Sequence, residues 1–149
     1  MDLLKFLFNY KRLISINPET RQETEVFYPY LPCSISSSFR STPAMDGLLD
    51  SGSDRIVLPL EVAEYLGLEL KPGEPMKIVG AEAPSYTSRV SITLGRGGRC
   101  CGPIKNVEVS IPREGETPLI LGRNPIFELY RITFIEAQHR YEMIPYLQE

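Results

Sequence analysis

The chain has 149 residues, 42% of them hydrophobic and 23% charged, which excludes wholesale disorder and leaves room for one domain with a real core. A net charge of −3 and an isoelectric point near 5.3 weigh against nucleic acid as a partner. No apolar run is long enough to cross a membrane as a helix, so no membrane partner is expected.

Taken in chain order, the opening "MDLLKFLFNYKRLIS" is apolar but carries Asp2, Lys5, Lys11 and Arg12. It lacks a small-residue cleavage site and reads as mature sequence rather than a signal peptide. The polar stretch "NPETRQETE" reads as a connection, dividing an N-terminal arm with its linker (residues 1–25) from a main domain (residues 26–149). Residues 26–36, "VFYPYLPCSIS", are aromatic and apolar with two prolines and predict a strand near a sheet edge. A turn over "SSSFRSTPA" leads to residues 45–49 as the second arm of a hairpin. After "DSGSDR" comes a short buried run, residues 56–58. Pro59 and Gly67 then bracket "LEVAEYLGL" with the start and stop asymmetry of a short helix, Val62, Ala63 and Leu66 on one face.

Residues 76–95 alternate in two runs joined by residues 80–85, the pattern of a hairpin. "GRGGRCCG" predicts a turn, and "IKNVEVSI" alternates as a half-buried strand should. Residues 119–121 predict a buried strand, residues 125–129 a helical turn, and the following strand places Ile132 and Phe134 on one face. "YEMIPY" is expected to pair back across "IEAQHR". The class is all-β with one or two short helices, in a small barrel-like arrangement.

The stretch "LLDSGSDRIVLP" holds the chemistry. By average residue usage an Asp-Ser/Thr-Gly tripeptide arises by chance in roughly one chain in fifteen of this length, so its flanks must decide. Its plain reading is a turn in which Asp50 bonds its own backbone. Apolar residues before it, an apolar run after it and a helix beyond place Asp50 on a tight loop between buried segments. Gly52 permits close approach of another backbone, and the hydroxyls of Ser51 and Ser53 can hold the loop.

Seventy-two residues from Asp50 to Gly122 separate this loop from a second marker, "LILGRN". Together "LLDSGSD" and "ILGRN" resemble the retropepsin-like aspartic peptidases, the single-domain half of the pepsin architecture. The likeness covers approximately residues 26–134, and it implies an acid-protease barrel whose active site is completed by dimerisation. It implies that Asp50 is catalytic, that Ser51 bonds across the dimer axis, and that Gly52 and Asp54 contact substrate backbone. By the same resemblance the intervening hairpin is a flap with Gly80 and Ala81 near its tip, although "GAEAPS" is not glycine-rich. Ile56, Pro118 and Ile120 would line side-chain pockets, with Arg55 adding a positive charge to one. Arg123 and Asn124 would support the loop from beneath, Arg123 through a buried ion pair with Asp54.

Only one such tripeptide is present, while hydrolysis of this kind uses two carboxylates. One activates water as a base and the other, protonated, polarises the scissile carbonyl. The second Asp50 must therefore come from a second chain across a twofold axis. The expectation is a homodimeric aspartic endopeptidase acting on peptides or proteins, without metal or other cofactor. The alternative is the same fold kept as a dimerisation or peptide-binding module without turnover.

Other signals are poorer. "GRGGRC" fails the dinucleotide fingerprint at its last position and lacks the Lys-Ser/Thr of a phosphate loop. His139 is the sole histidine, and no cysteine-peptidase motif accompanies it. The three cysteines, Cys33, Cys100 and Cys101, make neither a disulfide framework nor a spaced metal quartet. With no Asn-x-Ser/Thr sequon, a reducing interior, the cytoplasm, is the expected location.

Overall fold

The computed structural model describes residues 4–78, 81–96, 100 and 102–146. In chain order its strands are β1 (Phe6–Asn9), β2 (Lys11–Ile16), β3 (Glu23–Tyr28), β4 (Tyr30–Ser36), β5 (Met45–Leu49) and β6 (Ile56–Val57). Helix α1 (Leu60–Tyr65) precedes β7 (Lys71–Pro72), β8 (Met76–Ile78), β9 (Ala81–Ala83), β10 (Ser85–Leu94), β11 (Ile104–Pro112) and β12 (Ile120–Leu121). A helical turn (Arg123–Phe127), β13 (Tyr130–Ile135), a 3-10 turn (Glu136–Gln138) and β14 (Arg140–Pro145) complete the order. The chain forms two compact units, one of residues 31–128 and one of the two chain ends. Among the described residues no helix is long and apolar enough to cross a membrane.

In the unit of residues 31–128, six strands close on themselves in the order β4-β10-β11-β6-β12-β5, and β7 adds to β10. Closure depends on the ten-residue β10. Residues Ser85 to Val90 pair with β11, the register shifts between Val90 and Ile92, and Ser91 to Leu94 pair with β4. A bulge of this kind bends one long strand so that it can serve two parts of a barrel. Alternation then fills the interior. Leu31, Cys33 and Ile35 of β4 point inward, as do Ile92, Leu94, Val109 and Leu121.

The expected edge strand over residues 26–36 is instead two strands split at Pro29, and β4 lies between β5 and β10. Pro32 is tolerated there because it falls just before the pairs Cys33↔Leu94 to Ser36↔Ser91, so its missing N–H removes no bond from that ladder. The short helix forms as expected. The Gly67 N–H donates to Glu64 O and the Leu68 N–H to Ala63 O, with Gly67 at φ +67°. That pair of bonds caps the C-terminus in a way only a left-handed residue allows, and glycine adopts that conformation without a Cβ clash.

In the other unit, β1, β14 and β13 form a three-stranded sheet in that order. Tyr141 and Met143 are fully buried, Phe8 stacks on Tyr141 at 5.3 Å, and the Tyr141 hydroxyl donates to Tyr30 O. β13 meets β14 through the turn at residues 136–138, so Ile135 pairs with Arg140 and the "EAQH" residues are turn rather than strand. Ile132 and Phe134, two residues apart on β13, share one face, and Phe134 is exposed on it. The polar residues 17–25 are not an extended connection but the tip and first residues of a hairpin, β2 with β3. Asn17 Oδ1 accepts the N–H groups of Glu19 and Thr20, and Arg21 takes φ +58°. The polarity that read as a linker belongs to a solvated turn.

Candidate active site

Asp50 leaves the C-terminal end of β5, and the position is fixed by a parallel neighbour. Leu48 and Leu49 pair with Ile120 and Leu121 of β12. The Leu48 N–H donates to Leu119 O at 2.9 Å and the Asp50 N–H to Leu121 O at 3.1 Å. Beyond this anchor the chain turns on itself. Gly52 N–H donates to Asp50 Oδ1 at 2.9 Å, Ser53 N–H to Asp50 O at 3.2 Å, and Ser53 Oγ–H to Arg55 O at 2.8 Å. The plain turn reading and the functional one thus share a single geometry. The turn fixes one carboxylate oxygen of the half-buried Asp50, and Oδ2 has no hydrogen bond among the described residues.

The "ILGRN" run braces this loop from beneath, and it does so with backbone. Arg123 N–H donates to Ser53 O at 2.8 Å and Asn124 N–H to Asp54 O at 3.1 Å. Gly122 makes that approach possible, since a Cβ there would stand 2.2 Å from Arg55 O and 2.6 Å from Ser53 O. Its φ of −94° is open to any residue, so space rather than conformation demands glycine. The expected buried pair between Asp54 and Arg123 does not form. Arg123 is exposed, and Asp54, 72% exposed, has Arg55 Nε as its cation at 3.9 Å. Water solvates both charges, so no burial penalty drives them together.

Of the other anticipated residues, Ser51 and Gly52 are exposed on the loop and Ser53 is half-buried. Ile56 is fully buried in the core, Ile120 is half-buried beside Leu48, and Pro118 is exposed. Ala81 opens β9, paired with Ile78, and Gly80 lies outside the described residues, as do residues 97–99 and 101 of the expected "GRGGRCCG" turn. Residues 81–83 of the expected connection over residues 80–85 are instead the returning strand β9.

At its neck this hairpin is clasped to the barrel. Ser85 Oγ–H donates to Glu74 O at 2.8 Å, Gly73 N–H to Ser85 O at 3.0 Å, and Arg113 Nε–H to the same carbonyl at 3.3 Å. The Arg113 guanidinium also lies 4.5 Å from the centre of the Tyr86 ring. Ser85 is 2% exposed, whereas Lys77, Ala81 and Glu82 of the hairpin are exposed. The hairpin is thus anchored at its neck while these described residues of its arms face solvent.

Two groups escaped the sequence reading: this neck, and a polar cluster of Arg55, Thr87, Glu108 and Ser110. The alternation of "VEVSI" does place Glu108 and Ser110 on one face of β11. Nothing local in sequence says that Arg55 would lie against them. Cys33 gives the thiol route no support. Cys33 is closed inside the barrel, where burial first and the Asp46 carboxylate second push its thiol up to about 12. A thiol held protonated is not a nucleophile. His139 stacks on Phe27, ring centres 3.9 Å apart. Among the described residues no three His, Cys, Asp or Glu side chains gather to hold a metal ion.

A closed six-stranded barrel whose Asp-Ser-Gly loop is braced by a Gly-Arg-Asn segment defines the class as a retropepsin-like barrel. Solved structures with this fold include EIAV protease complexed with the inhibitor HBY-793, at 21% identity and TM-score 0.53, covering 77% of this chain and 93% of that one. Another is a retropepsin-like aspartic protease from Rickettsia conorii, at 14% identity and TM-score 0.57, covering 97% and 96%. No curated protein sequence matches the chain. A family model described as "Aspartyl protease" matches residues 35–124, and the chain belongs to that family.

Proposed function

We propose that this chain is one subunit of a homodimeric aspartic endopeptidase in which Asp50 of each copy forms the catalytic pair. The observation that carries the reading is the Asp50 loop itself: a single Asp-Ser-Gly turn, one carboxylate oxygen fixed by Gly52 N–H and the other without a hydrogen bond among the described residues. Two carboxylates brought close together cannot both ionise, so the pair holds one proton and its apparent pKa values belong to the pair. The ionised member takes a proton from water as it attacks the peptide carbonyl, and the protonated member donates to the carbonyl oxygen.

In this reading Ser51 bonds across the twofold axis, and Gly52 and Asp54 meet substrate backbone. Arg55, Pro118 and Ile120 shape the side-chain pockets while Ile56, fully buried, belongs to the core behind them, the β8–β9 hairpin with Gly80 and Ala81 covers the substrate, and Arg123 and Asn124 support the loop. Peptides or proteins of the cytoplasm are the substrates. Incubation with a denatured protein at mildly acidic pH, beside an Asp50→Asn control, tests it. Cleavage by the wild type and none by the folded variant is the expected result. No cleavage by either assigns the fold to a binding or dimerisation role instead.

A further inference from the structure

Between the Asp50 loop and the neck of the β8–β9 hairpin lies a hollow of about 290 Å³, walled by Arg55, Gly73, Glu74, Thr87, Glu108 and Ser110. Its wall is polar, unlike the apolar pockets that Ile56, Pro118 and Ile120 suggest. Strand pairing assembles it. Parallel pairing of β6 with β11 sets Ile56 against Val109, and antiparallel pairing of β10 with β11 sets Thr87 opposite Ser110 and Arg89 opposite Glu108. Arg55, one residue before β6, is thereby carried onto the polar face of β11.

The charges in this hollow are unequally satisfied. Glu108 accepts from Thr87 Oγ–H at 3.2 Å and stands between two guanidinium groups, Arg55 Nη1 at 3.8 Å and Arg89 Nη2 at 3.8 Å. Among the described residues Arg55 has only long contacts: Glu108 at 3.8 Å, Ser110 Oγ at 3.5 Å and the solvated Asp54 at 3.9 Å. All exceed the 2.7–2.9 Å of a good charge-assisted bond. Glu74 sits at the rim, where its carbonyl is taken by Ser85 Oγ–H. The group with unused donors is therefore Arg55, whose side chain is 37% exposed five residues from Asp50.

We propose that Arg55 makes this hollow a subsite for a substrate side chain bearing a carboxylate, aspartate or glutamate. The inference rests on the reading that a peptide lies across the Asp50 loop, and it adds the class of side chain selected there. The planar guanidinium can exchange its long contacts for two parallel hydrogen bonds to one carboxylate. A carboxamide offers one acceptor oxygen and no charge, and an apolar side chain leaves the polar wall unpaired.

The test is a set of peptides that differ only in Glu, Gln, Leu or Lys at one position at a time. The wild type is expected to favour Glu over Gln at one position by about three- to tenfold in kcat/KM, a factor that shrinks with added salt. Arg55→Glu should move that preference to Lys. Arg55→Gln should erase it, and keeps the test open if the charge reversal fails to fold. Binding of the same peptides to Asp50→Asn protein by calorimetry reads the subsite without turnover. Preferences that are the same in wild type and Arg55 variants overturn the proposal, even if every protein with Asp50 cleaves. Arg55-dependent binding without any turnover upholds the subsite and overturns the peptidase reading.

Discussion

Gly122→Ala isolates the brace beneath the Asp50 loop. The added methyl would lie 2.2 Å from Arg55 O, 2.6 Å from Ser53 O and 2.8 Å from Arg55 C, all backbone atoms that no rotamer change can move. Residues 53–55 must therefore shift away from residues 122–124. Overpacking of this kind costs about 1–3 kcal/mol. The shift also stretches two hydrogen bonds, Arg123 N–H to Ser53 O and Asn124 N–H to Asp54 O, each contributing about 1 kcal/mol net. The expected loss is about 3–5 kcal/mol, with peptide cleavage falling because the displaced loop carries Asp50. Urea unfolding at fixed protomer concentration measures it. Gly102→Ala is the control, since no atom lies within 4 Å of a Cβ there. A Gly122→Ala loss below about 1 kcal/mol with cleavage retained, or an equal loss in Gly102→Ala, would refute the argument.

Arg123→Ala should cost no more than about 1 kcal/mol in the same urea assay, because the side chain is exposed and the brace runs through its backbone. A loss of about 3–5 kcal/mol would restore the buried ion pair with Asp54. Cys33 should resist iodoacetamide at pH 8 in the native protein, and Cys33→Ala should keep its turnover, since the thiol is buried and pushed up to about 12. Its folded pKa lies above the ordinary value of 9.0, so the stability from the neutral thiol is complete below pH 9 and is lost as pH rises toward 12. Cys33→Val should lack that alkaline loss when urea midpoints are compared between these limits. The rate of peptide cleavage against pH should be bell-shaped with its maximum on the acid side of neutrality, and a single limb still rising above neutrality would contradict a shared proton.

The Asp50 loop was legible because its signals are local: an acid at the end of an apolar run, Gly52 where the chain turns, then Pro59 and Gly67 around the helix. The barrel class was legible from alternation. Its closure was not, because β6 and β12 have two residues each and carry no periodicity. β12 also enters between β5 and β6 from more than fifty residues away. The hairpin at residues 11–28 was missed because its turn is long and charged, and its pairing of Leu13 with Val26 shows only in the fold. "LGRN" was identified correctly as a support, but its arginine suggested a side-chain grip where the chain uses amide groups and an absent Cβ. The polar subsite needed β6 and β11 side by side before Arg55 had neighbours.

A mixing experiment tests directly whether two chains supply one active site. Wild-type and Asp50→Asn chains are unfolded together in varied ratios, refolded, and assayed for peptide cleavage. If each site needs two intact Asp50 residues, an equal mixture has them in about a quarter of its dimers. Activity per wild-type chain then falls to about half and tends to zero as the variant is added in excess. Activity that tracks the amount of wild-type chain and ignores the variant would show that one chain carries a complete site.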